Sequence, residues 1–144
     1  MQSLKKEVEE YFASFGVPKS AFAGKEFVRV GNSIWLVAKG LKKPQEFNVQ
    51  TSGLRIMHIV KWGLKPTSFA LQLLAKHINK RVCEVDEKEL LNLIEGRPLA
   101  RKMERGYVAL KFKGKIIGCA LSTGKKIYSQ LPKLLMQSFK ELLQ

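Results

Sequence analysis

Several residue types that define whole classes of protein are scarce in this chain. It has only two cysteines among 144 residues, which excludes a disulfide-dense secreted scaffold. No apolar run reaches the length of about 20 residues that a membrane-spanning helix needs, and no apolar signal segment follows the charged first residues. We therefore expect a cytoplasmic protein with free thiols at Cys83 and Cys119 and no membrane contact.

Acidic residues are also scarce relative to basic ones. Against 12 Asp and Glu stand 26 Lys and Arg, which gives a net charge of +14. Residues 47–83 contain no acid at all, and the acids that do occur concentrate in residues 84–95. A regional cationic surplus of this kind is typical of proteins that bind polyanions, nucleic acid first. A lysine-rich surface that serves only solubility is the simpler alternative.

Residues for catalysis or metal binding are not arranged in any supporting pattern. His58 and His77 have no cysteine or carboxylate at the spacing of metal ligands. Residues 118–126 resemble a phosphate-binding P-loop, but Lys126 stands where Ser or Thr would hold magnesium. The sequence therefore predicts that the protein is not an enzyme and that it has no cofactor and no metal site.

The stretch from Arg105 to Lys133 organises the chain. Apolar residues alternate with others over 107–112, which predicts a strand. Lys113-Gly114 supplies a two-residue hairpin turn. The almost continuous apolar run over 116–121 predicts a second strand, buried on both faces, with a bulge or bend at Gly118.

Short strands and amphipathic helices alternate over the rest of the chain. This mixture favours an α+β fold with a small mixed β-barrel and flanking helices. Residues 39–52 are the predicted internal boundary, which separates an N-terminal helix-plus-hairpin unit (1–46) from a second domain (47–144), packed as one compact unit. The predicted elements are a helix at 4–15 capped by Ser3, a hairpin at 27–37, strands at 54–60 and 82–85, a helix after Thr67, a helix opened by an Asp86–Glu89 capping box, and a final helix after Pro132.

Two consecutive segments carry a resemblance to a known family. Val-Asp-Glu-Lys-Glu-Leu-Leu-Asn-Leu-Ile-Glu-Gly-Arg-Pro-Leu at 85–99, followed by Glu-Arg-Gly-Tyr-Val-Ala-Leu at 104–110, resembles a PUA domain. That family, named from pseudouridine synthases and archaeosine transglycosylases, places an acidic helix ending in Gly-x-x-Leu before a strand opened by glycine. Its next strand ends in an apolar–glycine pair, which Ile117-Gly118 matches.

A narrower likeness involves RNA-modifying enzymes. Residues 63–67, the turns of the central hairpin and residues 127–133 are similar to the C-terminal RNA-binding part of Sun-family ribosomal-RNA 5-methylcytosine methyltransferases. The N-terminal helix and hairpin also resemble the pre-PUA segment of small ribosome-biogenesis proteins. The chain lacks the glycine-rich cofactor loop and the Pro-Cys pair of the methyltransferases, so the resemblance implies binding without catalysis.

The function that the resemblance implies is recognition of structured ribosomal or transfer RNA, in RNA modification or ribosome biogenesis. The alternative is a protein-interaction subunit that targets an RNA-modifying enzyme acting in trans. An exposed apolar patch around Trp35 would be the sign of that alternative. The sequence does not indicate an oligomeric state.

The candidate RNA contacts follow from charge and position. Duplex RNA is recognised mostly by shape and backbone, so cations at loop tips and element ends are favoured, together with an aromatic side chain that stacks an exposed base. Trp35 and Tyr107 are interpreted as core residues, whereas Trp62 is a second candidate for stacking. The predicted contacts are Lys61, Lys65, Arg97, Arg101, Lys102, Arg105, Lys125, Lys126, Tyr128 and Lys133.

Overall fold

A computed structural model describes residues 3–39 and 53–143 of the chain, which divides into two structural units. The first unit is Met1–Lys80 and the second is Arg81–Gln144. The boundary expected between residues 46 and 47 lies outside the described residues.

The element bounds are as follows. The first unit contains α1 (Leu4–Ala13), a 3-10 helix (Lys19–Phe22), β1 (Lys25–Val30), β2 (Ser33–Ala38), β3 (Leu54–Val60), β4 (Gly63–Pro66), α2 (Ser68–Leu73) and a second 3-10 helix (Ala75–His77). The second unit contains β5 (Val82–Val85), α3 (Glu87–Ile94), β6 (Leu99–Ala100), β7 (Gly106–Phe112), β8 (Lys115–Ser122), β9 (Lys126–Ser129) and α4 (Lys133–Leu143).

Helix α1 begins at the predicted cap. The hydroxyl of Ser3 accepts a hydrogen bond from the Lys6 backbone N–H at 3.2 Å, which satisfies one of the donors that a first helical turn leaves unpaired. Val8 and Phe12 lie one turn apart and are completely buried. The apolar face expected from the sequence is therefore the face that packs in the core of the first unit.

The first sheet is antiparallel, in the order β1-β2-β3-β4, and the predicted hairpin forms β1 and β2. Ile34 pairs with Met57, but the next residue, Trp35, pairs with Arg55. Ile56 is thus an extra residue on β3, a β-bulge. Ile56 and Met57 are consecutive residues and both are completely buried. The bulge therefore interrupts the regular alternation of buried and exposed side chains along β3.

Strand β4 differs from the expectation that residues 63–67 only lead into a helix. It forms the edge of the first sheet, where His58 of β3 lies opposite Lys65. Pro66 is compatible with this position because an edge strand tolerates a residue without an N–H. Four residues are too few for periodicity to separate a strand from a loop.

Helix α2 is confirmed but is shorter than its apolar pattern. It ends at Leu73, although Ile78 continues the pattern. The backbone N–H groups of Asn79 and Lys80 both donate to the carbonyl of Phe15, at 3.0 and 3.1 Å. These tertiary bonds accompany the end of the helical segment, and local propensity cannot anticipate them.

The second unit is built on a curled, five-stranded half-barrel sheet with flanking helices. Its strand order is β5-β7-β8-β9-β6, and β5 runs parallel to β7 while the other pairs are antiparallel. Leu90, Leu110 and Ile127 are completely buried in its core. The expected α+β mixture is therefore confirmed at this level.

The central hairpin has the predicted turn. Lys113 and Gly114 both have positive φ, at 49° and 79°, as a two-residue turn between twisted strands requires. Leu110 pairs with Gly118 but Lys111 pairs with Ile116. The predicted bulge is therefore present, with Ile117 as its extra residue beside Gly118.

Gly106 offers a test of how β7 is held at its start. Its φ is +116°, and an added Cβ would lie 2.6 Å from Nη2 of Arg81. We expect Gly106→Ala to lower the free energy of unfolding by about 1.5 kcal/mol, from backbone strain and displacement of that guanidinium. Gly114→Ala is the matched control, with φ +79° and open space around it; strain alone should cost it about 1 kcal/mol. Equal losses in denaturant unfolding would show that the Arg81 contact contributes nothing.

Candidate nucleic-acid interface

The turn between β8 and β9 is tied together by its own side chains. The Thr123 N–H donates to the Lys126 carbonyl at 3.0 Å, and the Lys126 N–H donates to the Thr123 hydroxyl at 3.2 Å. The Gly124 N–H donates to the Ser122 hydroxyl at 3.2 Å. Lys125 is therefore presented at the tip of a fixed turn, where the sequence predicted it.

A second segment, residues 101–105, lies against this turn. The Arg101 N–H donates to the Lys125 carbonyl at 3.1 Å, and Arg105 Nε donates to the Thr123 carbonyl at 3.0 Å. The buried hydroxyl of Ser122 adds a bond to the Met103 carbonyl at 3.1 Å. These bonds join residues that lie 18 to 24 positions apart in the sequence and so hold the two segments side by side.

The two joined segments and the first residue of β9 carry four cations, and we call them the cationic edge: Lys102, Arg105, Lys125 and Lys126. All four are exposed. None of them forms an ion pair with a carboxylate among the described residues. Glu104 lies in the same segment, but its carboxylate pairs with Arg81 at 3.5 Å. The cationic edge is therefore a concentration of positive charge on ordered backbone, available to an anionic partner.

Arg101 has a different environment from its neighbours. Its Nη1 donates to the Glu84 carbonyl at 2.5 Å and to Cys83 Sγ at 3.1 Å. Its Nη2 donates to Glu89 Oε2 at 2.9 Å. Burial raises the pKa of the Cys83 thiol, and the nearby Arg101 opposes that rise without reversing it. The Arg101 side chain joins β5 to α3, so its bonds are made within the protein.

Arg97 is also held by protein groups. Its Nε and Nη2 donate to Asn92 Oδ1 at 3.0 and 2.9 Å, and Nη2 also donates to Glu95 Oε1 at 2.9 Å. Arg97 lines a shallow cavity of about 150 Å³ together with Tyr128 and Met136. The carboxylate of Glu95 neutralises part of its charge, so Arg97 is a weaker candidate for a phosphate than the cationic edge.

Strand β9 links that cavity to the cationic edge. Ile127 is completely buried, whereas Lys126 and Tyr128 on either side of it are exposed, Tyr128 by 38%. Residues two apart on a strand share a face. Tyr128 and Lys126 therefore point to the same side of the sheet, which is the arrangement that an aromatic stacking group beside a phosphate contact requires.

The remaining predicted contacts lie elsewhere. Lys133 is exposed at the first residue of α4. Lys61 lies exposed in the turn between β3 and β4, and Lys65 lies on β4; both belong to the first unit. The structure thus places Lys102, Arg105, Lys125, Lys126 and Tyr128 on neighbouring segments of the second unit, and it gives Arg97 and Arg101 carboxylate partners within the protein.

One residue that positions the interface was missed in the sequence. Arg81 Nε donates to the Tyr107 carbonyl and its Nη2 donates to the Arg105 carbonyl, both at 2.9 Å. These bonds fix the backbone that carries Arg105. The partners are more than twenty residues away in the chain, so no local pattern signals the contact.

The metal-site and P-loop patterns considered in the sequence can be compared with the part of the chain that the structure describes. No three His, Cys, Asp or Glu side chains there are grouped to hold a metal ion. Residues 118–126 form the end of β8, a turn and the start of β9, whereas a P-loop would lead into a helix.

Comparisons with known proteins do not test the PUA resemblance. No protein-family model matches the chain, and no curated protein matches it. The PUA resemblance stays a prediction. Within residues 3–39 and 53–143, no helix has both the length and the apolar character needed to cross a membrane.

Proposed function

We propose that the protein is a non-catalytic RNA-binding protein that recognises structured ribosomal or transfer RNA. The second unit is its PUA-like module, and the cationic edge is its main contact with RNA phosphates. The supporting observation is that four exposed cations lie on two hydrogen-bonded segments with no carboxylate partner among the described residues. Holding like charges together is unfavourable, and a polyanion that displaces counterions relieves this repulsion.

Neighbouring side chains support RNA over a generic polyanion. Tyr128 shares a face of β9 with Lys126, and a cation beside an aromatic ring suits a backbone contact combined with a stacked base. The role in RNA modification or ribosome biogenesis rests on the PUA and methyltransferase resemblance alone. In that role the protein binds RNA directly, without a partner enzyme.

The alternative, a protein-interaction subunit that targets an RNA-modifying enzyme, predicts an exposed apolar patch around Trp35. Trp35 is only partly exposed, and the Arg55 guanidinium lies over its ring, with Cζ 6.0 Å from the ring centroid. A charged group therefore lies beside the Trp35 ring, although Val28 and the exposed Val30 of β1 lie on the same face of the hairpin. RNA binding without a partner enzyme is the function we retain.

The test removes three lysines of the cationic edge together. We expect Lys102→Ala, Lys125→Ala and Lys126→Ala in one variant to weaken binding to a folded RNA hairpin about tenfold. The slope of log affinity against log salt should fall by about two to three, because each lost phosphate contact removes about one released counterion. Fluorescence anisotropy over a salt series measures both quantities.

A matched variant controls for net charge. Lys88→Ala, Lys115→Ala and Lys140→Ala remove the same charge from exposed positions of α3, β8 and α4 in the same unit. This control should keep most of the affinity and the slope. Equal losses in both variants, or equal affinity for duplex DNA and folded RNA, would mean that the positive charge acts without a defined site.

A further inference from the structure

The shallow cavity of the second unit has the size of a single aromatic ring. It lies between the end of α3, the loop at residues 96–98, β9 and α4, and its volume is about 150 Å³. A protein cavity of about 150 Å³ holds a benzene molecule, whereas a purine, with two fused rings, is larger than benzene. We call this cavity, between those four elements, the ring cavity.

The walls of the ring cavity are mostly apolar. Leu93 and Ile94 of α3 line it together with Pro98 and with Met136 of α4, and Leu93 is almost completely buried. Tyr128 of β9 contributes an aromatic side chain to the lining. Such walls favour a flat ring, because its faces are removed from water when it enters.

Arg97 brings hydrogen-bond donors to the ring cavity. Its Nε and Nη2 are occupied by Asn92 Oδ1 and Glu95 Oε1, and these bonds hold the guanidinium in one orientation. A guanidinium has five N–H donors, and Nη1 makes no hydrogen bond with the residues that the structure describes. Two oriented donors of Arg97 are therefore available to an acceptor in the cavity.

Ser129 adds a hydroxyl donor to the same cavity. Its Oγ accepts from the Leu131 N–H at 3.2 Å and donates to Met136 Sδ at 3.5 Å. A thioether sulfur is a weak acceptor, so the hydroxyl gains by donating to a carbonyl oxygen instead. The ring cavity thus suits a single ring that carries a carbonyl oxygen. Uracil and cytosine have this chemistry, whereas adenine has two rings and no carbonyl, and guanine has two rings.

Cations lie beside the ring cavity on two of the elements that form it. Tyr128 lines the cavity, and Lys126 of the cationic edge is two residues away on β9, a distance of about 7 Å along the strand. Lys133 is exposed at the first residue of α4, one helical turn before Met136. A nucleotide matches this arrangement better than an uncharged ring does, because its phosphates are attracted to the neighbouring lysines.

We propose that the ring cavity binds one unpaired pyrimidine base of the RNA that is held at the cationic edge. The inference rests on the RNA-binding function proposed above and adds a base preference to it, since phosphate contacts by themselves carry no sequence information. Unpaired bases can leave the stack, and their ring faces and polar edges are then both accessible to protein groups. The RNA recognised therefore combines a duplex with an unpaired uridine or cytidine.

The experiment compares folded RNA hairpins that share one duplex and differ at a single bulged position. That position carries uridine, cytidine, adenosine, guanosine or an abasic sugar. We expect fluorescence anisotropy to show an affinity about tenfold higher for either pyrimidine than for the abasic hairpin, because one stacked base contributes on this scale. The two purines should bind like the abasic hairpin, since their second ring exceeds the cavity.

Two variants test whether the base lies in the ring cavity. Ile94→Phe fills the cavity and should remove the pyrimidine preference, while the slope of log affinity against log salt stays unchanged because the phosphate contacts remain. Arg97→Gln removes the guanidinium donors and should reduce the preference about threefold. Leu134→Phe is the matched control, since it adds an aromatic ring at a position of α4 that is 82% exposed; it should keep the preference. Circular dichroism checks that each variant is folded.

A direct measurement follows the base itself. A hairpin with 5-fluorouridine at the bulged position gives one ¹⁹F NMR signal, which is sensitive to burial of the ring. The signal should shift when the unmodified protein binds, and this shift should be lost with Ile94→Phe at RNA saturation. The triple variant of the cationic edge should weaken binding to every hairpin by the same factor and so keep the pyrimidine preference.

The outcomes distinguish this inference from the proposed function. If RNA affinity depends on the cationic edge but all five hairpins bind alike, the ring cavity holds no base and the function stands. If the pyrimidine preference survives in both Ile94→Phe and Arg97→Gln, the base is bound elsewhere and the inference is wrong. If no folded RNA binds at all, the function itself fails.

Discussion

Leu110→Ala is expected to lower the free energy of unfolding by about 3 to 5 kcal/mol. Leu110 is completely buried on β7, where it lies between Cys83 of β5 and Gly118 of β8. Both neighbours are small, and rigid sheet pairing limits collapse of the surroundings into the space that a truncated side chain leaves. The decrease in the free energy of unfolding therefore includes both the cavity that remains and the lost transfer free energy of the removed methyl and methylene groups.

The control is the same substitution at an exposed leucine. Leu134 of α4 is 82% exposed, so Leu134→Ala should change stability by less than about 0.5 kcal/mol. Trp35 and Trp62 both belong to the first unit, so tryptophan fluorescence reports that unit, and hydrogen exchange of the β7 amides reports the second. Unchanged protection of β7 in Leu110→Ala would contradict the packing described above.

Arg101→Ala is expected to destabilise the second unit by about 2 to 3 kcal/mol. The substitution removes bonds to the Glu84 carbonyl and to Glu89, and it leaves the partly buried carboxylate of Glu89 without its cation. Glu89 also completes the capping box of α3 by accepting from the Asp86 N–H at 2.9 Å. Loss of Arg101 therefore loosens β5 and the start of α3 together. Denaturant unfolding, followed by circular dichroism, measures the loss.

Lys102→Ala is the neighbouring control for Arg101→Ala. Lys102 is exposed and makes no ion pair with the described residues, so its loss should reduce RNA affinity while leaving stability within about 0.5 kcal/mol. Arg101→Lys keeps the charge but not the planar fork, and it should recover only part of the stability. An Arg101→Ala protein that unfolds like the parent yet binds RNA poorly would return Arg101 to the list of direct contacts.

Local signals in the sequence predicted the elements that depend on local chemistry. The capping box of Asp86 and Glu89 forms with both reciprocal bonds, because its partners are three residues apart. The turn at Lys113 and Gly114 and the bulge beside Gly118 follow from positive φ and strand patterning over a few residues. Lys125 lies in the turn where it was predicted, whereas Lys126 is already the first residue of β9.

Features that depend on distant parts of the chain were not predictable in the same way. The sequence did not predict strand β9, since Lys126-Ile-Tyr-Ser becomes a strand only by pairing with β8 and β6. The charge pattern could not separate Arg101, which bonds within the protein, from Lys102, which faces solvent. The pairing of His58 with Lys65 required the register of β3 and β4, which sequence periodicity does not supply.

The parallel pairing of β5 with β7 has a consequence for the order of folding. The β7–β8 hairpin closes across a two-residue turn, so it forms at little cost in chain entropy. The β5–β7 pair encloses α3, β6 and the 101–105 segment, a much longer closure that delays its formation. We expect β5 to dock onto an existing hairpin as a late event. Until it docks, the outer edge of β7 stays open, and a nascent chain is most prone to pair wrongly with another copy at that edge.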